Sequence, residues 1–120
     1  MSYFVEKPWG HEIRWAVNDL YLGKILLIKE NQRLSRQYHE IKDETIYVLN
    51  GKLIVEIGDP STMEGVVTYT LSEGESQRIT PGTIHRFCAE CGTDVELIEV
   101  RTPEIEDVVR LADDYNRDST

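Results

Sequence analysis

Turn signals recur along this chain at intervals too short for long helices. Lys7-Pro8-Trp9-Gly10, Asn18-Asp19, Lys29-Glu30-Asn31, Asn50-Gly51, Gly58-Asp59-Pro60, Ser72-Glu73-Gly74-Glu75 and Pro81-Gly82 punctuate it. Gly, Pro, Asn and Asp supply the backbone angles that reverse a chain. The runs between them are short and carry Val, Ile, Thr and Tyr, which suit a pleated, half-buried surface. They read as strands over 11–17, 21–28, 52–57, 66–71, 76–80, 84–88 and 95–100, and another pair flanks the loop at 40–43. Only Glu106 to Tyr115 looks helical, its acidic start suiting the positive end of a helix dipole. This order predicts an all-β sandwich or barrel of jelly-roll type, in two antiparallel sheets with a short C-terminal helix. Ile25 to Ile28 is apolar on both faces, so one face is expected to meet a second sheet, the N-terminal segment or a partner subunit. A homodimer follows from the last of these.

At 120 residues the chain is expected to form one domain, 1–120. Its 40% hydrophobic and 29% charged content is that of an ordinary globular protein. A net charge of −9 argues against nucleic acid or an anionic membrane as partner, since both favour basic surfaces. It leaves room for a small anion held by a local cluster of Lys and Arg. No leader-like N-terminal run and no membrane-length apolar stretch is present, so the expectation is a cytoplasmic protein. Cys88 and Cys91 form a lone pair without the second pair a zinc site needs, and they carry no functional reading.

Chemistry concentrates between Gln37 and Gly51. Gln37 and His39 are two apart, so on an extended chain both side chains leave the same face. Glu44 follows a short polar loop, where the next strand can return it to that face, and His85 sits just after another turn. One amide oxygen, two imidazoles and one carboxylate make a ligand set for a divalent cation. The same residues can also serve as hydrogen-bonded polar groups inside a barrel.

The spacing Gln37-x-His39-x4-Glu44-x6-Gly51 resembles the first cupin motif, with glutamine for the first histidine and Asn31 at the leading glycine. Gly74-x5-Thr80-x-Gly82-x2-His85 resembles the second, with Thr80 at the usual proline and Ala89 at the closing asparagine. Within the cupins the chain is similar to mannose-6-phosphate isomerases, especially the cupin end of the bifunctional type II enzymes. Lys7-Pro8-Trp9-Gly10, Leu34-Ser35, Ile98-Glu99-Val100 and the tail from Glu106 to Arg117 carry that likeness, with Asn116 for a glycine and a shorter linker after Val100. These 120 residues do not include the nucleotidyltransferase domain that precedes the cupin in bifunctional members, so that activity is expected to need another protein.

The resemblance implies a metal-dependent isomerase that interconverts mannose 6-phosphate and fructose 6-phosphate through an enediol. Gln37, His39, Glu44 and His85 would hold the cation. Zinc is the metal implied first, and imidazole with hard oxygen ligands also suits iron, manganese, cobalt or nickel. No catalytic base stands out, and Lys24, Arg101 and Arg110 are candidates for the phosphate's partners. The competing readings are a cupin that binds sugars or nucleotide sugars, and a cupin enzyme of other chemistry such as a dioxygenase. Gln37 counts against the dioxygenase, whose iron site is usually richer in histidine. Trp9 and Trp15 read as core or interface residues, Arg110 and Arg117 as partners of the tail's own acids before any phosphate, and Asp113-Asp114 as a solvated helix face.

Overall fold

The computed structural model of the chain describes residues 2–104, 106–115 and 117. Eleven strands follow one another: β1 (Tyr3–Lys7), β2 (Gly10–Val17), β3 (Leu22–Ile28), β4 (Arg36–Tyr38), β5 (Glu44–Asn50), β6 (Leu53–Gly58), β7 (Val66–Leu71), β8 (Ser76–Ile79), β9 (His85–Ala89), β10 (Val95–Arg101) and β11 (Val109–Ala112). They form a six-stranded sheet, β1-β2-β3-β10-β5-β8, and a five-stranded sheet, β11-β4-β9-β6-β7. All pairings are antiparallel. Ladder pairing stays within each sheet, so the jelly roll is two open sheets around a shared interior.

Alternation decides what enters that interior. On β3 and β10, Leu26, Ile28, Val95 and Leu97 point inward and are at most 3% exposed. They meet Val55, Leu53 and Phe87 of the five-stranded sheet in one apolar core, which Trp9 joins. Burial of such side chains is worth about 1.5–3 kcal/mol each and drives the two sheets together. The same alternation continued along β10 carries Glu99 and Arg101 inward, and along β5 it carries Glu44. The interior is therefore apolar at one end and ionic at the other.

The six-stranded sheet meets the second sheet through Leu26 and Ile28, while Ile25 and Leu27 lie on its outer face. Trp15 is 44% exposed there and covers Gly23, where an added Cβ would lie 2.6 Å from its ring. No membrane-length apolar helix occurs among the described residues.

The expected C-terminal helix does not form, and no helix occurs among the described residues. Residues 109–112 instead pair with β4 as edge strand β11. Two physical reasons are visible. β4 needs a ladder partner on its free side, and the Asp107 carboxylate that would cap a helix accepts from the amides of Glu40, Ile41 and Lys42 instead. Asp113–Asp114 is accordingly not a helix face: Asp113 binds Arg117, as expected of that arginine, while Asp114 binds Arg33 and Arg86. β1 is a further strand where the residue pattern signalled only the following turn.

Candidate metal centre

β4, β5 and β9 bring the candidate ligands together. Gln37 on β4 is the register partner of His85 on β9, across the five-stranded sheet. Glu44 opens β5 on the facing sheet, and His39 closes the short link between β4 and the loop. His39, Glu44 and His85 are each 2% exposed, and their ligand atoms lie within 4.8 Å of one another. Gln37 lines the same cavity, its amide nitrogen donating to Ser35 Oγ at 3.0 Å, which turns the amide oxygen into the available ligand atom.

The tautomers are set by the backbone. His39 Nδ1 lies 2.6 Å from the Asp107 carbonyl oxygen, and His85 Nδ1 lies 2.9 Å from that of Thr83. A carbonyl oxygen only accepts, so both Nδ1 atoms carry the proton and both Nε2 atoms present lone pairs. Those lone pairs face Glu44 Oε1 at 3.7 Å and 3.3 Å. With both rings neutral, three electron-rich atoms thus converge, an arrangement a cation relieves. Burial holds the His39 pKa below its ordinary value, with the Lys42 charge pulling the same way, so the ligand form is favoured.

The cavity beside these atoms measures about 90 Å³. Lys7, Lys24, Lys42, Arg101, Arg110 and Arg117 line it, against the carboxylates Glu12, Glu44 and Glu99. In a chain of net charge −9 this is a local excess of positive charge, which favours an anionic ligand. Lys24 is buried and donates to Glu12 at 3.1 Å. Lys42 Nζ stands 3.5 Å from Glu44 Oε2. Arg101 lies on β10 opposite Glu44, and Arg110 on β11 opposite Gln37. Burial, then the neighbouring Arg117 charge, lowers the Arg110 pKa. Burial, followed by the Glu44 charge, pushes the Glu99 carboxyl up to about 7.

Glu12, Glu99 and Lys42 were not singled out from the sequence. For Glu99 the signal existed: it shares the inward parity of Val95 and Leu97, a charged residue on an apolar stripe. Asp107 left no such signal, because its partners are backbone amides more than sixty residues away.

Two facing antiparallel sheets with a His/Glu cluster between them make this a cupin. The chain belongs to the family described as mannose-6-phosphate isomerase C-terminal, which it matches over residues 1–113. It is 34% identical over 116 residues to a mannose-1-phosphate guanylyltransferase of Escherichia coli (strain K12), covering 94% of this chain and 23% of that protein. A mannose-1-phosphate guanylyltransferase of Salmonella typhimurium is 30% identical over 110 residues, covering 89% of this chain and 22% of its own length. The chain thus spans under a quarter of these relatives. Capsular polysaccharide assembling protein CapF from Staphylococcus aureus shares the fold at TM-score 0.79 and 18% identity, over 93% of this chain and 34% of that one.

Proposed function

We propose that this chain is a metal-dependent isomerase that interconverts mannose 6-phosphate and fructose 6-phosphate, with Gln37, His39, Glu44 and His85 holding one divalent cation. The observation that carries the metal is the convergence of two imidazole lone pairs on Glu44 Oε1. What supports the substrate is family membership together with the cationic lining of the adjoining cavity. Zinc suits the donors, as do iron, manganese, cobalt and nickel.

Aldose–ketose exchange moves a proton between C2 and C1 and passes through an anionic enediol. The cation, when bound, would polarise the carbonyl and the adjacent hydroxyl as a Lewis acid. The chain's own residues do the rest. Asp107 and Thr83 carbonyls hold the imidazoles in the ligating tautomer. Lys42, 5% exposed beside Glu44, adds positive charge where the enediolate develops. Of the three cations proposed for the phosphate, Lys24 is engaged by Glu12, and Arg101 lies beside Glu99. Arg110 reaches the same cavity from the tail strand.

Residues 1–120 form one cupin domain in this reading, which acts on a small molecule in the cytoplasm as a homodimer formed through the outer face of the six-stranded sheet. The function is tested by elemental analysis of purified protein, then a coupled assay with the metal restored. Conversion of mannose 6-phosphate that chelation abolishes is expected. Binding of sugar phosphate without exchange of the C2 proton with solvent would instead mark a sugar-binding cupin.

A further inference from the structure

The inner wall formed by β10 carries polar atoms that no group among the described residues satisfies. Arg101 Nε and Nη2 and Glu99 Oε2 are buried without hydrogen-bond partners. Both residues are 6% exposed, and both line the cavity beside the metal ligands. Arg101 Nε and Glu99 Oε2 are 3.7 Å apart, too far for a direct hydrogen bond. Lys24, the register partner of Glu99 on β3, already donates to Glu12. Buried donors and acceptors are almost always paired, so this wall is complementary to something outside the chain.

The pattern says what. Donors alternate with acceptors, since Arg101 only donates and ionised Glu99 only accepts. A phosphate here would meet the Glu99 carboxylate and, across the ladder, Glu44. A hydroxyl group both donates and accepts, and two adjacent hydroxyls match a donor and an acceptor held side by side. We propose that Glu99 and Arg101 form a subsite for a vicinal diol, the Arg101 guanidinium donating to one hydroxyl and the Glu99 carboxylate accepting from its neighbour. The subsite reads the polyol part of the ligand and stands apart from whatever holds the phosphate. Its ligand rests on the sugar-phosphate reading above, whereas the site itself rests on the unpaired atoms.

The test compares two phosphate esters on zinc-loaded protein by calorimetry: sorbitol 6-phosphate, and pentyl phosphate, which keeps the phosphate and lacks the hydroxyls. Wild type should bind the first at least tenfold more tightly. Glu99→Leu should cut that preference below threefold and leave pentyl phosphate affinity unchanged, while Glu99→Gln, which keeps one acceptor oxygen, retains part of it. Arg101→Lys, which keeps the charge but loses the fork, should also reduce the preference, with circular dichroism confirming the fold. No preference in wild type, or a full preference in folded Glu99→Leu and Arg101→Lys, overturns the subsite. If neither ester binds, the isomerase reading fails by itself. Free sorbitol then decides: amide shifts at 99 and 101 that vanish in Glu99→Leu uphold the subsite, and their absence in wild type overturns it.

Discussion

Asp107 holds both His39 and the loop that follows it, although 68 positions separate it from that histidine. The Asp107 carbonyl oxygen lies 2.6 Å from His39 Nδ1, and its carboxylate accepts from the amides of Glu40, Ile41 and Lys42 at 2.8–3.0 Å. One residue of the tail thereby orients an imidazole and pins the loop that leads to Glu44. The connection also explains why the tail runs as a strand beside β4 and carries Arg110 to the cavity.

Removing the Asp107 carboxylate should therefore loosen the proposed metal site without touching any of its proposed ligands. Asp107→Ala leaves the carbonyl in place but frees three loop amides. Partners that orient a ligating histidine are typically worth 10–100-fold in metal affinity. A drop of at least tenfold is expected by competition with a chromophoric chelator, along with faster hydrogen exchange at 40–42. Unchanged affinity would show that the loop holds its shape alone.

The proposed ligands themselves should separate cleanly from the surface. His39→Ala and His85→Ala each remove one of two buried imidazoles and should reduce bound metal to a small fraction of wild type by elemental analysis. Gln37→His should retain it, since imidazole replaces the amide as donor. Lys52→Ala serves as the surface control and should match wild type. Full metal content in His85→Ala would remove His85 from the site.

Much of this was legible in the residues because strands have a period of two. Gln37 and His39 share a face, and the loop at 40–43 returns Glu44, so convergence followed from alternation and one turn. The Lys7-Pro8-Trp9-Gly10 turn was equally plain. Gly10 has φ +154°, and a Cβ there would fall 1.9 Å from the Leu27 carbonyl oxygen, so only glycine lets β2 enter the sheet. The tail misled because Val108, Val109 and Leu111 among acids fit a helix as well as a strand, and the missing edge of β4 decided between them. The buried ionic band was harder still. Glu12, Lys24, Glu99 and Arg101 are ordinary surface residue types, and only the pairing order of β2, β3 and β10 places them side by side.

Glu99 makes the metal-free protein's stability depend on pH in a definite direction. Burial raises its carboxyl from 4.5 to about 7, so the folded state keeps a proton that the unfolded state releases in between. Stability from this group is complete below pH 4.5, declines as pH rises toward 7, and changes no further above it. At 1.36 kcal/mol per pK unit the whole effect is roughly 3 kcal/mol. Glu99→Gln has no proton to lose and should gain on wild type by up to that amount across the window, read from urea unfolding. A constant difference between the two proteins from pH 4.5 to 7.5 would contradict it.

The outer face of the six-stranded sheet supplies the test of self-association. Register places Phe4, Ile13, Ile25, Ile98 and Tyr47 in one row across β1, β2, β3, β10 and β5. Phe4 is 59% exposed and Tyr47 43%, with Trp15 and Val100 beside the row at 44% and 45%. An antiparallel sheet that faced water would alternate polar residues onto this side, and a contiguous apolar surface of this kind marks an interaction site. A second copy offers the same row and buries it without placing a carboxylate opposite another at its centre. Sedimentation should show a dimer at micromolar concentration. Ile98→Lys, next to the middle of the row on a half-buried position, should convert it to monomer while far-ultraviolet circular dichroism stays unchanged. A monomeric wild type at that concentration would leave this face without a second copy to cover it, and Ile98→Lys would then alter neither mass nor shape.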